Sequence, residues 1–202
     1  MRFAVIGTGA IVEKFISAGS QVPGFSLYAV YSRSKERGQA FAAEHGAQRS
    51  FDNLADLAAC RKVEAVYIAS PNRLHYEQSK LFLQHGKHVI CEKPLTGYFG
   101  QKGELNVGKN TPKSVMYREV MRDMDSLKAV VESSGRKFMY AENFVYAPPV
   151  QRAAQMLRAK KSKILYMRGE LSLNGSSSPL AGKWSGTGGG ILMRNGCHPI
   201  GG

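Results

Sequence analysis

The stretch "VICEKPLTGYFG", residues 89–100, sets an acid, a lysine and a proline directly behind a short apolar run. Val89, Ile90 and Cys91 fit the end of a core strand. Proline cannot continue a ladder, so Glu92 and Lys93 fall where the sheet stops. In an open α/β sheet that edge is where ligands bind. Lys93 can reach a ligand there. Glu92 either joins it at the ligand or acts as its salt-bridge partner, which would tune the lysine's pKa.

A second group opens the chain. "FAVIGTGAIV" places Gly7 and Gly9 between an apolar strand and a helix, followed by Ala10 and Ile11, so that bare backbone can approach a pyrophosphate at the helix N-terminus. The third glycine of the dinucleotide fingerprint is replaced by Val12. About twenty residues further on, an NAD site places an acid to hold the ribose hydroxyls. Here Ser32 and Arg33 stand instead, which removes a negative charge and offers a guanidinium to a 2′-phosphate, so NADP is expected in preference to NAD. "AVYIASPNRLH" ends a further strand on Ser70, Pro71, Asn72 and His75, small and polar residues that can line the dinucleotide, with His75 read either as a satisfied hydrogen-bonding residue or as a catalytic one.

These groups must be positioned by an alternation of strands and helices. The pattern predicts strands at "RFAVIG", "SLYAVYS", "EAVYIAS" and "KHVICE", with helices over 12–18, 35–45, 54–59 and 74–85. Such spacing implies right-handed βαβ crossovers and a doubly wound parallel sheet. Between Gly97 and Val115 the glycines, Pro112 and several lysines mark an excursion from the sheet. A helix resumes near Met116, where Val120, Met124, Leu127 and Val131 share one face. "KFMYAE" reads as another strand and "PPVQRAAQMLR" as a helix opened by proline. "KILYMRGELSLNG", residues 163–175, reads as a long strand opening a second sheet. The expected division is residues 1–118 as the dinucleotide-binding domain and 119–202 as helices returning to its sheet plus the start of a second α/β domain with an open, mainly antiparallel sheet.

Composition bounds the rest. A chain of 202 residues, 43% hydrophobic, holds one core, or one domain and part of another. No charged leader followed by an apolar stretch opens it and no segment approaches a membrane span, so a cytoplasmic protein is expected. Cys60, Cys91 and Cys197 are odd in number and far apart, against a disulfide framework or a zinc site. The net charge of +13 includes Lys102, Lys109, Lys113, Arg158, Lys160, Lys161, Lys163 and Arg168. No nucleic-acid-binding motif accompanies it, so it reads as solvated surface.

"GTGAIV", "SPNRLH", "CEKPL", "AENFVYAPPVQ" and "GTGGGILMRNGCH", in that order, resemble the glucose-fructose oxidoreductase, inositol dehydrogenase and rhizopine-catabolism (Gfo/Idh/MocA) family across nearly the whole chain. The resemblance implies a Rossmann domain and a substrate domain acting on sugars or polyols with NADP or NAD. It implies that Lys93 reaches the substrate hydroxyl and the nicotinamide ribose, and that Lys93–Pro94 is a cis peptide. It also implies an aspartate and, one helical turn later, a histidine on one face. His198 holds the histidine place, but Arg194 replaces the aspartate, inverting a charge that suits a carboxylate or phosphate on the substrate. Val145 stands where an arginine is frequent. Tyr146 and Trp184 are further substrate candidates, Trp184 either stacking on a sugar or packing at a loop base. The expected chemistry is hydride transfer, with His198 as general base and Lys93 polarising the reacting oxygen. The alternatives are a redox-neutral member that returns its hydride, and a non-catalytic dinucleotide-binding protein. The family pattern continues past residue 202 with further strands, so a truncated chain is expected, with homo-oligomers forming through the second sheet of the longer form.

Overall fold

A computed structural model describes residues 1–101, 103–172, 174–175 and 180–201. The chain begins with β1 (Arg2–Ile6), α1 (Ala10–Gly19), β2 (Ser26–Tyr31), α2 (Lys35–Glu44), β3 (Arg49–Phe51), α3 (Leu54–Ala59), β4 (Ala65–Ile68), α4 (His75–Gln84) and β5 (His88–Glu92). There follow α5 (Val107–Asn110), α6 (Lys113–Ser134), β6 (Phe138–Ala141), α7 (Pro148–Lys160), α8 (Trp184–Thr187), α9 (Gly190–Asn195) and α10 (Cys197–Gly201). The strands form one sheet in the order β3-β2-β1-β4-β5-β6, every pair parallel. The order reverses between β1 and β4, which is the switch point of a Rossmann sheet.

Local chemistry starts and stops these elements. Ser34 caps α2 by accepting the Arg37 N–H at 3.2 Å, and Asn53 caps α3 by accepting from Ala55 and Asp56. Proline opens α7, and α6 closes on Gly135 in the left-handed region. Strand β4 is buried along its whole length, as expected of a central parallel strand covered on both faces.

The core lies on both faces of the sheet. On one face Ala4, Ile6, Val66, Ile68, Val89 and Cys91 pack against Phe82 and Leu83 of α4 and Leu127 of α6. Met124 and Val131 of α6 lie against the same cluster, the face that helical spacing singles out. On the other face Val5, Val30 and Tyr67 meet Val12, Phe41 and Ala42. The expected boundary at residue 118 falls inside α6, and β6 extends the sheet beyond it by pairing with β5.

Three differences from the sequence reading stand out. Strand β3 is absent from that reading because three residues on a sheet edge carry no periodicity to detect. The excursion carries a short helix, α5; Lys102 within it lies outside the described residues. The long strand expected at 163–175 is not formed: residues 163–172 have no strand structure, and Leu173 lies outside the described residues. Ile164, Leu165, Tyr166 and Met167 are 58, 97, 80 and 63% exposed. An apolar run with high strand propensity becomes a strand only against a partner, and no second sheet pairs with it among the described residues.

Leu127 is the residue of α6 buried in the sheet-facing cluster, with Met124 and Val131 beside it. Leu127→Ala should lower unfolding free energy by about 2–5 kcal/mol, read from the urea midpoint, whereas Lys128→Ala on the exposed side should change it by less than about 0.5 kcal/mol.

Candidate active site

Two adjoining pockets open at the carboxyl edge of the sheet. The first is a cleft of about 860 Å³ at the β1/β4 switch point, within the range of small-ligand sites. Gly7, Gly9, Ser32, Arg33, Ser70 and Pro71 line it together with Thr8, Tyr31, Ser34 and Arg37. Gly7 has φ +116°, and a Cβ there would stand 2.9 Å from the Ala69 carbonyl oxygen, so only glycine lets β1 turn this close to the end of β4. Gly9 caps α1 without a side chain, and a Cβ on it would meet open space. That bare helix start is a cradle for a phosphate group. A dinucleotide therefore fits: Gly7 and Gly9 and the start of α1 at Ala10 would hold the pyrophosphate, and the end of β2 the adenosine ribose.

Arg37 was not singled out from the sequence, although it lies one helical turn beyond Arg33 at the start of α2, a spacing readable in "SRSKERG". Glu36, the neighbouring acid, accepts a hydrogen bond from Ser34 Oγ at 2.9 Å and does not line the cleft.

The second pocket shares Ala69 and Ser70 with the first and is lined by Ile11, Asn72, His75, Glu92, Lys93 and Arg194. Its floor is the turn after β5, where Lys93–Pro94 is a cis peptide. Glu92 is held by the Tyr67 hydroxyl at 2.7 Å and by the Lys93 N–H at 3.2 Å. Phe15 stacks on Tyr67 from behind, and burial together with the bond to Glu92 pushes the Tyr67 hydroxyl's pKa well up, so it stays a donor. Lys93 Nζ donates to the Arg194 carbonyl at 3.2 Å, at the end of α9. Glu92 therefore orients the turn from which Lys93 projects.

His75 is buried and spans the two strand-end turns, with Nδ1 2.8 Å from the Pro94 carbonyl and Nε2 2.8 Å from the Ser70 carbonyl. Burial lowers its pKa, against the pull of both carbonyls. Cys91, the buried thiol beside Glu92, is pushed up to about 12, chiefly by burial, and is no nucleophile.

The segment from residue 184 onward docks on the same edge. Asn72 Nδ2 donates to the Gly186 carbonyl at 3.2 Å and the Tyr98 N–H to the Gly188 carbonyl at 2.8 Å. A Cβ on Gly97 would sit 2.6 Å from the Gly188 oxygen, so two glycines let the backbones touch. Trp184 is not brought to Lys93. Its indole N–H donates to the Tyr98 carbonyl at 2.7 Å, its ring covers Gly108, and Lys113 lies over it. It packs the base of the excursion, the second of the two placements the sequence left open, and is not brought into the Lys93 pocket as the sugar contact would need. Tyr146 is 66% exposed and enters neither pocket.

Arg194 and His198 also part company. They fall on separate short helices, α9 and α10: Arg194 lines the Lys93 pocket, whereas His198 is buried against Glu142 and Phe144. Gly196 between them keeps right-handed helical dihedrals, so it is the surroundings of the two side chains that differ rather than the course of the backbone. His198 Nδ1 is hydrogen-bonded to Glu142 Oε1, and its ring stacks on Phe144 with centroids 4.4 Å apart. Glu142 was missed as a site residue, because an acid just past a strand end carries no signal until its partner is known.

The family model described as "Oxidoreductase family, NAD-binding Rossmann fold" matches residues 1–107. The chain belongs to this family. Among curated relatives, scyllo-inositol 2-dehydrogenase (NADP(+)) of Bacillus subtilis (strain 168) is 44% identical over 122 residues, 60% of this chain and 37% of the relative. The 1,5-anhydro-D-fructose reductase of Ensifer adhaerens is 36% identical over 94 residues, 46% of this chain and 28% of the relative. Among solved structures, an NAD-binding protein from Listeria innocua superposes with a TM-score of 0.76 at 22% identity, covering 98% of this chain and 52% of that one, and so shares the fold. The 3-ketoreductase KijD10 of Actinomadura kijaniata, solved with NADP and TDP-benzene, gives 0.62 at 26% identity over 79% of this chain and 42% of that one. The chain thus spans well under half the length of these curated family members. Among its described residues no helix is long and apolar enough to cross a membrane.

The depressed pKa of His75 has a measurable consequence. Its folded-state pKa lies below the unfolded value of about 6.5, so the unfolded chain binds the proton first and stability falls as pH drops through that value. Thermal unfolding should therefore lose ground between about pH 7 and pH 5, and His75→Leu should flatten that loss. His88, lowered by burial, Arg136 and Lys137, supplies a slope that remains in the variant. An equal slope in both proteins would remove His75 from the effect.

Proposed function

We propose that this chain is the cofactor-binding part of an NAD(P)-dependent oxidoreductase that transfers hydride between a nicotinamide and a hydroxyl-bearing carbon of a polyol, sugar or sugar derivative. The observation that carries this reading is the continuity of the two pockets. A dinucleotide-sized cleft and the Lys93 pocket share Ala69 and Ser70, so a ligand laid along the first ends at the second. The nicotinamide, when bound, supplies the hydride acceptor or donor. Lys93 orients and polarises the reacting oxygen. His198 takes the hydroxyl proton as the carbon–hydrogen bond breaks, and Arg194 faces the substrate from the same side as Lys93.

Two features support NADP in preference to NAD. The end of β2 presents Ser32, Arg33, Ser34 and Arg37 to the cleft, a pair of guanidiniums with no carboxylate among them. The 44% identical relative is by name an NADP(+) enzyme acting on scyllo-inositol. The thiols Cys60, Cys91 and Cys197 are free, which suits a cytoplasmic enzyme. A second domain whose first part follows the elements of residues 119–202 that return to the Rossmann sheet, and a homo-oligomer built through its own sheet, complete the proposal.

NADP+ should bind more tightly than NAD+ in a calorimetric titration, and Arg33→Ala should weaken NADP+ by roughly 10- to 150-fold, the worth of one charged hydrogen bond, with NAD+ little changed. Equal affinities in the wild type would overturn the NADP assignment. For the reaction, a full-length version given scyllo-inositol and NADP+ should raise absorbance at the reduced-nicotinamide band, whereas residues 1–202 alone should bind NADP+ and turn over poorly. Lys93→Met should cut that rate by roughly 10²–10⁴-fold while NADP+ still binds. Turnover without net absorbance change would point to the redox-neutral alternative; unchanged turnover in the variant would take Lys93 out of the chemistry.

A further inference from the structure

Strand β6 ends at Ala141, and the next residue, Glu142, is 5% exposed. The chain then folds back in a 3₁₀ turn over Phe144–Tyr146, which aims two backbone donors at that carboxylate. Phe144 N–H reaches Oε1 at 3.2 Å and Val145 N–H reaches Oε2 at 3.1 Å. Both oxygens are fixed by backbone before any side chain arrives. Val145, where an arginine was the expected type, thus takes part through its N–H alone. His198, itself 9% exposed, brings the third donor, Nδ1, to Oε1, while Phe144 lies against the face of its ring.

We infer that Glu142 is the positioning residue that fixes which nitrogen of His198 can accept a proton, holding the ring with hydrogen on Nδ1 and the lone pair on Nε2. An ionised carboxylate only accepts, so the ring nitrogen bonded to it must carry the hydrogen. Burial acts to raise the Glu142 carboxyl, and the hydrogen bonds from His198, Phe144 and Val145 outweigh it, so the group stays ionised below the usual range. In the other tautomer the Nδ1 lone pair would face carboxylate lone pairs in a buried site, where like-to-like contacts are most costly. With Nε2 as the acceptor, proton transfer makes an imidazolium whose charge lies beside Glu142. A carboxylate plays this part for a catalytic histidine in other enzymes.

This inference rests on the proposed role of His198 as base, and its test separates the two. Two-bond ¹H–¹⁵N correlation spectra of ¹⁵N-histidine protein at about pH 8, above the ordinary histidine pKa, read the tautomer directly, with His198→Gln identifying the signal. The expected wild-type spectrum shows a protonated Nδ1 and a lone-pair Nε2; a protonated Nε2 overturns the inference without any further variant. Glu142→Leu should populate the Nε2–H form, and an unchanged Nδ1–H signal in a variant that still binds NADPH would also overturn it. On scyllo-inositol with NADP+, the same variant should lose roughly 10²–10⁴-fold in kcat with little change in KM. A changed tautomer with full turnover would retire His198 as the base and leave the hold of Glu142 on the ring standing.

Discussion

The two turns that leave β4 and β5 hang on one imidazole. His75 sits between the carbonyls of Ser70 and Pro94, each 2.8 Å away, and so ties the dinucleotide cleft to the cis turn that carries Lys93. A neutral ring can donate to only one of them and must face the other with a lone pair; only the imidazolium donates to both. Burial opposes that charge. The clamp is thus held by geometry and packing as much as by hydrogen bonds. Its place explains why a histidine in the first turn of a helix, far from Lys93 in sequence, shares a pocket with it. Remove the ring and Ser70 and Pro94 lose the group that bridges them.

The segment around residues 184–188 docks beside that clamp. Asn72, two residues beyond Ser70, holds Gly186, and Gly97, three residues beyond Pro94, lies under Gly188. The contacts use backbone on at least one side, which is why the chain is so rich in glycine there: a Cβ on Gly97 or Gly188 would fall within 3 Å of its neighbour. Once docked, α9 ends with the Arg194 carbonyl over Lys93 Nζ, and α10 brings His198 to Glu142. A lysine near the carboxyl end of a helix meets carbonyls that lack intrahelical partners, so the contact satisfies both.

Most of the fold was legible in the sequence because parallel strands buried on both faces read as unbroken apolar runs, and the helices between them keep one apolar face. The runs at 65–68 and 88–92, and the face through Met124, Leu127 and Val131, are examples. The glycines at 7 and 9 and the lysine at 93 were legible for a different reason: each follows directly on an apolar strand run, and at Gly7 the backbone admits no other residue type. What escaped is what depends on distant partners. Arg37 joins the cleft only because α2 starts beside β2, and Glu142 becomes informative only when α10 folds onto it. Trp184 has the composition of a sugar-stacking residue, and only the position of Tyr98 and Gly108 turns it inward. The run at 163–172 has the composition of a strand, and strand formation is decided by a neighbour.

The site repeats one device on adjacent strands. β5 and β6 pair with Glu92 opposite Ala141, so Glu142 stands one residue further along the edge than Glu92. Each acid is fixed by groups of its own strand-end turn or the neighbouring strand: Glu92 by the Tyr67 hydroxyl and the Lys93 N–H, Glu142 by the N–H groups of Phe144 and Val145. Each then holds one further group, Glu92 the turn bearing Lys93 and Glu142 the ring of His198. Carboxylates with several fixed donors do not swing readily, so they make stable reference points. A parallel sheet delivers its strand ends along one edge. Two such reference points a strand apart hold the Lys93 turn and the His198 ring to one edge of the sheet, each through groups of the backbone as well as side chains.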